Sequence, residues 1–218
     1  MTLRLADGVH GVVVNGDTVL LDIATDAYFC LPLTGDQVRL DQGRLTRSPA
    51  DLGQALVEAG LATHAPVTPT GLGDKAVVSP GRSLWRLLQD CQTGPAPSSA
   101  GRGSALARAA FAAWRGRRLA FEAMLRQAVD PEPSVLTGRL LEDLRHYRAI
   151  TPWLPIDGAC LFRSHMLRAY LARLGHRTDW VFGVRTWPFR AHCWLQVEDV
   201  VLDDEAERVA AYSPILVI

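Results

Sequence analysis

The strongest constraint on the fold is a helix that runs straight into two strands in the last third of the chain. GACLFRSHMLRAYLARL reads as a helix, with Asp157 as N-cap and Gly175 closing it. Leu161, Ser164, Leu167, Leu171 and Leu174 recur at spacings of three and four, which predicts a buried stripe. WVFGVRTWPF and RAHCWLQVED follow, two runs rich in strand formers around a turn at Pro188. VEDVVLDDEAE then predicts a tight turn at Glu198–Asp199 and a further strand ending in acidic residues.

Three residues in this frame suit one chemistry. Cys160 falls in the first turn of the helix, where free N–H groups and the positive end of the dipole favour an anion. A thiol is a useful nucleophile only as the thiolate. Along the second strand, alternation puts His192, Trp194 and Gln196 on one face and Cys193, Leu195 and Val197 on the other. Cys193 therefore reads as core packing, and Cys160 is the thiol for His192 to activate. An antiparallel neighbour brings Asp203 or Asp204 beside His192, where a carboxylate can hold the imidazole tautomer. The order Cys, His, Asp on helix, strand and strand predicts a cysteine hydrolase.

The first sixty residues read as a compact β-then-α unit. Asn15-Gly16 between VVV and TVLLDI is a strong hairpin signal, and AYFCLPL is a third strand after Thr25-Asp26. SPADLGQALVEAGLA follows as a helix, with Ser48 as N-cap, Pro49 at its first position, and Leu52, Leu56 and Ala59 on one face. The Pro-, Gly- and Thr-rich stretch APVTPTGLGDKAVVSPG ends this unit, which divides the chain at 1–80 and 81–218. Between that stretch and Cys160 lie a short helix at SLWRLLQDC, a low-complexity loop at QTGPAPSSAGRGS and a long helix from Ala105 that kinks at Gly116. A further helix is stopped by Pro152. Arg115, Arg117 and Arg118 form a basic cluster at the kink.

Lys plus Arg and Asp plus Glu are both 23, so no global field favours nucleic acid. No apolar run is long enough to span a bilayer, and no signal-peptide pattern is present. Cys30, Cys91, Cys160 and Cys193 have neither metal-like nor disulfide-like spacing. These features predict a cytoplasmic, reduced protein with no membrane contact, no metal and no cofactor of its own. No phosphate loop or dinucleotide fingerprint appears.

Cys160–Leu161, Gly183–Arg185, Pro188–Trp194 and Asp204 together resemble the B protein of lasso-peptide biosynthesis, a leader peptidase in the transglutaminase-like cysteine protease superfamily. Asp203 stands where that family often has Asn, and the resemblance favours Asp204 as the acid. Leu20-Leu21-Asp22 and Tyr28-Phe29 resemble the precursor-peptide recognition element of such systems, a small winged-helix-like domain. The resemblance implies an α+β chain, with a winged-helix-like unit followed by a papain-like peptidase domain. It also implies leader binding as an added strand at Tyr28, Phe29, Cys30 and Leu31, beside Leu52 and Leu56 of the helix. It implies two partners, a precursor peptide and an asparagine-synthetase-like cyclase, with any ATP dependence entering through the cyclase. Two other activities fit the same residues: acyl transfer to an amine, and a non-catalytic adaptor that only presents the leader.

Overall fold

The computed structural model describes residues 3–41, 44–65, 76–90, 100–116, 118–126, 135–153 and 159–218. Cys91, Arg117 and the expected cap Asp157 lie outside the described residues. After β1 (Arg4–Leu5), β2 (Val9–Val14) and β3 (Asp17–Asp22) form a hairpin. Val14 pairs with Asp17, which leaves Asn15 and Gly16 as a two-residue turn. Their φ angles of 51° and 85° are those a type I′ turn demands. The Asp22 carboxylate accepts from the Ala24 N–H at 3.0 Å and the Thr25 hydroxyl at 2.6 Å, turning the chain into β4 (Ala27–Leu31). The sheet order is β2-β3-β4, so among the described residues β4 has a strand neighbour on one side only.

A second small sheet joins β5 (Arg39–Asp41), β6 (Arg44–Arg47), β1 and β7 (Ala62–Thr63) in the order β5-β6-β1-β7. The helix α1 (Ala50–Glu58) connects β6 to β7. Pro49, not Ser48, holds its cap position, and the Ser48 hydroxyl turns to the Pro49 carbonyl at 3.0 Å. Gly53 and Leu56 form its buried face, while Ala59 is exposed. Among the described residues up to 65 this is the single helix, and the strands divide between two sheets. The winged-helix expectation is therefore not confirmed.

The hairpin strand β3 explains how the halves join. Its continuous apolar run is buried on both faces, as such runs are in covered sheets. Leu20 faces a cluster with Leu5, Val9, Leu45 and Leu56. Val19, Leu21 and Ile23 face the other way, into a core shared with Leu144, Leu167, Tyr170 and Trp180. One hydrophobic core joins residues from both sides of position 80.

The second half comprises β8 (Arg82–Ser83), α2 (Leu84–Asp90), α3 (Ala100–Gly116), α4 (Phe121–Arg126), α5 (Gly138–Ile150) and α6 (Cys160–Arg173). Then come β9 (Asp179–Arg185), β10 (Arg190–Val197), β11 (Val200–Val201), α7 (Ala206–Val209) and β12 (Ser213–Val217). The sheet order is β12-β9-β10-β11-β8. The long kinked helix is in fact two: α3 ends at Gly116 and α4 begins at Phe121. At its other end α3 starts at Ala100, inside the stretch read as loop, since its alanines outweigh Gly101 and Gly103. Gly175 closes α6 at φ 84°, with the His176 N–H reaching back to the Leu171 carbonyl at 3.0 Å.

All six tryptophans lie beyond residue 80. Leu21→Ala is expected to cost about 2–5 kcal/mol, as deletions in well-packed cores do. Urea unfolding followed by tryptophan fluorescence checks this. An independent N-terminal domain would leave that signal unmoved, whereas a shared core shifts its midpoint.

Candidate active site

The helix that carries Cys160 is seated by one buried hydroxyl. Ser164 Oγ donates to the Cys160 carbonyl at 2.8 Å and accepts from the Trp180 indole N–H at 2.9 Å. Met166, Leu167, Tyr170 and Leu171 bury the same helix against the sheet. Cys160 is thus the first residue of α6, with Ala159 at the cap position and no side-chain cap. The Phe162 and Arg163 N–H groups return to the Ala159 carbonyl, and those of Cys160 and Leu161 open the helix.

The Cys160 sulfur has three partners, all on β10: the Cys193 thiol, the His192 ring and the Cys193 N–H. Donation from Cys193, then from His192 and the main chain, outweighs burial and pushes the Cys160 thiol down to about 4. His192 is pushed up to about 9, first by its bond to Asp204 and then by Cys160. Its Nε2 meets Asp204 Oδ2 at 2.6 Å, which leaves Nδ1 for the sulfur. Burial alone raises Asp204. The bonds from His192 and from the Glu205 N–H, with the charges of His192 and Arg208, bring it below the usual carboxylate range. Between about pH 4 and 9 the pair is thiolate and imidazolium, held by a charged carboxylate.

Packing fixes the imidazole plane. Trp194 stacks on it at 6.2 Å and Tyr212 tilts against it at 5.4 Å. The Arg185 guanidinium lies over the Tyr212 ring at 5.4 Å. Alternation along β10 is as expected: His192, Trp194 and Gln196 share a face, and Gln196 Oε1 accepts from the Trp194 indole at 3.1 Å.

The two neighbouring acids have separate roles. Asp203 does not touch His192; its Oδ1 accepts from the Leu195 N–H at 2.8 Å. Burial of the carboxyl raises Asp203 to about 7, against the pull of that N–H and of Arg163. Near neutrality a substantial share of it is therefore uncharged, a form that has the hydrogen-bonding pattern of an amide side chain.

Cys193 is the functional residue that sequence reasoning missed. It is buried, as expected, yet its sulfur meets both Cys160 and, at 3.4 Å, Ser164 Oγ. With the Ser164 O–H committed to the Cys160 carbonyl, the one Cys193 S–H is shared between Ser164 Oγ and the Cys160 sulfur. Its bond to Cys160 and its burial keep Cys193 itself protonated. Pointing away from His192 does not remove a side chain from the site, because the Cys160 sulfur sits beside the main chain between the two residues.

The six expected leader-binding residues do not share one surface. Leu31, Leu52 and Leu56 join the N-terminal cluster, with Leu56 4% exposed. Tyr28 and Cys30 project from the other face of β4 against the shared core, and Phe29 is 38% exposed. Period-two alternation forces that separation. A cavity of about 890 Å³ opens beyond the triad acid, lined by Trp85, Tyr147, Arg163, Asp203 and Asp204 among others. Among the described residues, no three His, Cys, Asp or Glu side chains are grouped to hold a metal ion. No helix there is long and apolar enough to cross a membrane.

Iodoacetamide labelling of Cys160, read by peptide mass mapping, is expected to be nearly flat from pH 5.5 to 8. In His192→Ala the rate at pH 6 should fall by at least about tenfold, as the thiol returns toward the ordinary range near 8.5. Cys193→Ala removes one donor to a charged acceptor, which is worth about 1.5–3 kcal/mol. The labelling midpoint should then move upward by about one to two pH units. Asp203 supplies a separate test. Its folded pKa lies above its unfolded one, so the native state holds the proton longer and stability falls as pH rises from about 4 to 7. Asp203→Asn keeps an acceptor for Leu195 and removes that slope. It should gain stability over the parent at pH 8 and not at pH 4, in denaturant melts at both pH values.

Residues 104–217 match the family model described as the transglutaminase-like superfamily. Comparison with curated proteins and with solved structures gives no match. The family fits a cysteine peptidase or an acyltransferase, the two outcomes open to an activated thiol that forms a thioester. With more than half of its length in that match, a stretch that contains Cys160, His192 and Asp204, the chain belongs to the transglutaminase-like superfamily.

Proposed function

We propose that this chain is a cysteine peptidase that binds the leader of a ribosomally made lasso-peptide precursor and cleaves it from the core peptide. The observation that carries the reading is the thiolate–imidazolium pair of Cys160 and His192, oriented by Asp204. The one-sided strand β4 on the same core supports the peptide half of the reading. An extended leader can add to such an edge through its main chain. Leu31 and Leu52, half-buried beside Leu56, offer apolar contacts next to it. Tethering the leader raises the effective concentration of the cleavage site at Cys160.

The chemistry follows from the groups present. The Cys160 thiolate attacks the scissile carbonyl, and the developing oxyanion takes the N–H of Cys160 at the open helix end. The His192 imidazolium gives its proton to the departing amine as the C–N bond breaks, leaving a thioester. Neutral His192 then takes a proton from water, the hydroxide adds to the thioester, and the thiolate leaves with the leader carboxylate. Asp204 keeps the ring in place through both steps. The freed core N-terminus passes to an asparagine-synthetase-like cyclase, and any need for ATP resides with that partner.

A synthetic precursor incubated with the protein, alone and with the cyclase, tests this by mass spectrometry. Two fragments whose masses sum to precursor plus water support hydrolysis. A product carrying an added amine instead moves the assignment to acyl transfer. Cys160→Ala is expected to lose cleavage by at least about 10³-fold while retaining precursor binding in fluorescence anisotropy. Normal cleavage by that variant would refute the nucleophile, and would leave the chain as an adaptor that only presents the leader.

A further inference from the structure

The helices α3 and α6 pack against each other, and neither carries an Asp or a Glu. Both carry arginines, in a chain whose charges balance at 23 and 23. Two of these arginines are used inside the fold. Arg102 Nε donates to Asp143 Oδ1 at 2.6 Å, and Arg163 Nη2 donates to the Asp203 carbonyl at 3.2 Å. The others, Arg108, Arg115, Arg168 and Arg173, line one cavity of about 520 Å³ in the groove between the helices. Among the described residues, no carboxylate lies within ion-pair distance of Arg108, Arg115 or Arg173.

Small side chains shape this groove. Ala112 on α3, with Ala169 and Ala172 on α6, leaves space between the backbones and gives it an apolar floor. Gly116 closes one end, since a Cβ there would stand 3.2 Å from His165 Nε2, and the His165 ring stacks on Trp180. Phe111 stands on the rim, 56% exposed. Trp114 is 54% exposed and stacks on Phe111 at 5.9 Å. The guanidiniums of Arg115 and Arg118 lie over these two rings at 6.0 and 5.2 Å. Exposed aromatics beside arginine, with no lysine, have the composition of a protein interface. A sequence pI near 7.0 gives the chain no long-range field of the kind that nucleic-acid binders carry. Arg108 and Arg115 are two helical turns apart, about 10 Å along α3. That is the spacing of carboxylates three residues apart on an extended chain or two turns apart on a helix.

We propose that the groove between α3 and α6 is a docking surface for an acidic segment of a partner protein. Carboxylates of that segment pair with Arg108, Arg115, Arg168 and Arg173, and an apolar side chain between them sits on the alanine floor against Phe111. Guanidinium forks suit carboxylates because two parallel N–H donors meet two oxygens. Exposed ion pairs alone contribute little, and the apolar floor and rim keep water from these. The surface takes no part in the Cys160 chemistry, and its partner is independent of whether water or an amine accepts the acyl group.

The probe is an array of short synthetic peptides with two Glu at varied separations around a Leu or a Phe. Each has a counterpart with Gln and one with Lys in place of Glu, and binding to the whole chain is read by fluorescence anisotropy. Glu peptides of matching separation should bind at least about tenfold more tightly than their Gln counterparts, as charge-assisted pairs imply. High salt should erase that preference. Arg108→Gln with Arg115→Gln should remove it as well, and Phe111→Ala should weaken the best peptide by about threefold or more. Arg108→Glu with Arg115→Glu should reverse the choice and favour the Lys peptide. All three positions are exposed, and an unchanged iodoacetamide rate at Cys160 verifies the fold of each variant. No Glu preference anywhere in the array, or one that survives both double substitutions, overturns the proposal. Tighter binding of a single-stranded oligonucleotide, or of vesicles containing phosphatidylserine, through the same arginines overturns the protein partner in favour of nucleic acid or membrane.

Discussion

A single hydroxyl sets the geometry on which the site depends. Ser164 is fully buried one turn into α6, and its oxygen joins the Cys160 carbonyl to the Trp180 indole on the neighbouring strand. That link fixes where along the sheet the helix begins. An isolated thiol at a helix end gains little from the dipole alone. Here the first residue of the helix is brought against the main chain of β10, where a ring, a thiol and an N–H converge on one sulfur. The half-buried anion is tolerable because each of these donors is supplied by a strand that cannot easily move away.

Charge around the pair is arranged in a graded series. Asp204 is ionised and bonded to His192, while Asp203, next in the chain, is enclosed and held toward its neutral form. Two adjacent carboxylates both ionised beside one imidazolium would compete for the ring. Burial of one resolves that competition without changing the residue type. Tyr212 and Trp194 supply the apolar sides of the same pocket, so the ring is oriented by a charge at one end and by packing on its faces.

The placement of Cys160, His192 and Asp204 was legible in sequence because each sits in its own local pattern. Cys160 opens a helix, His192 lies on an alternating strand, and Asp204 follows the next one, in the bend after β11. The part played by Cys193 was not legible. Alternation tells which face a side chain takes, but not what another element brings to that face. The Asn15-Gly16 hairpin was plain from two residues whose backbone demands are unusual. The second N-terminal sheet was not, since β1 and β7 are two residues long and β5 is three, too short to carry a period. The six expected leader-binding residues divide between two faces because neighbours along a strand point opposite ways.

β3, covered on both sides, bears on how such a chain can be inherited. Val19, Leu21 and Ile23 have their partners on the far side of residue 80, whereas Leu20 has its own within the first sixty-five. A fission of the gene between the two halves would leave each product with a raw apolar strip that only the other can cover. Separate polypeptides of this kind would have to meet and stay together to be functional at all. The seam that looks like a convenient place to cut is therefore the place where the chain has most reason to remain one.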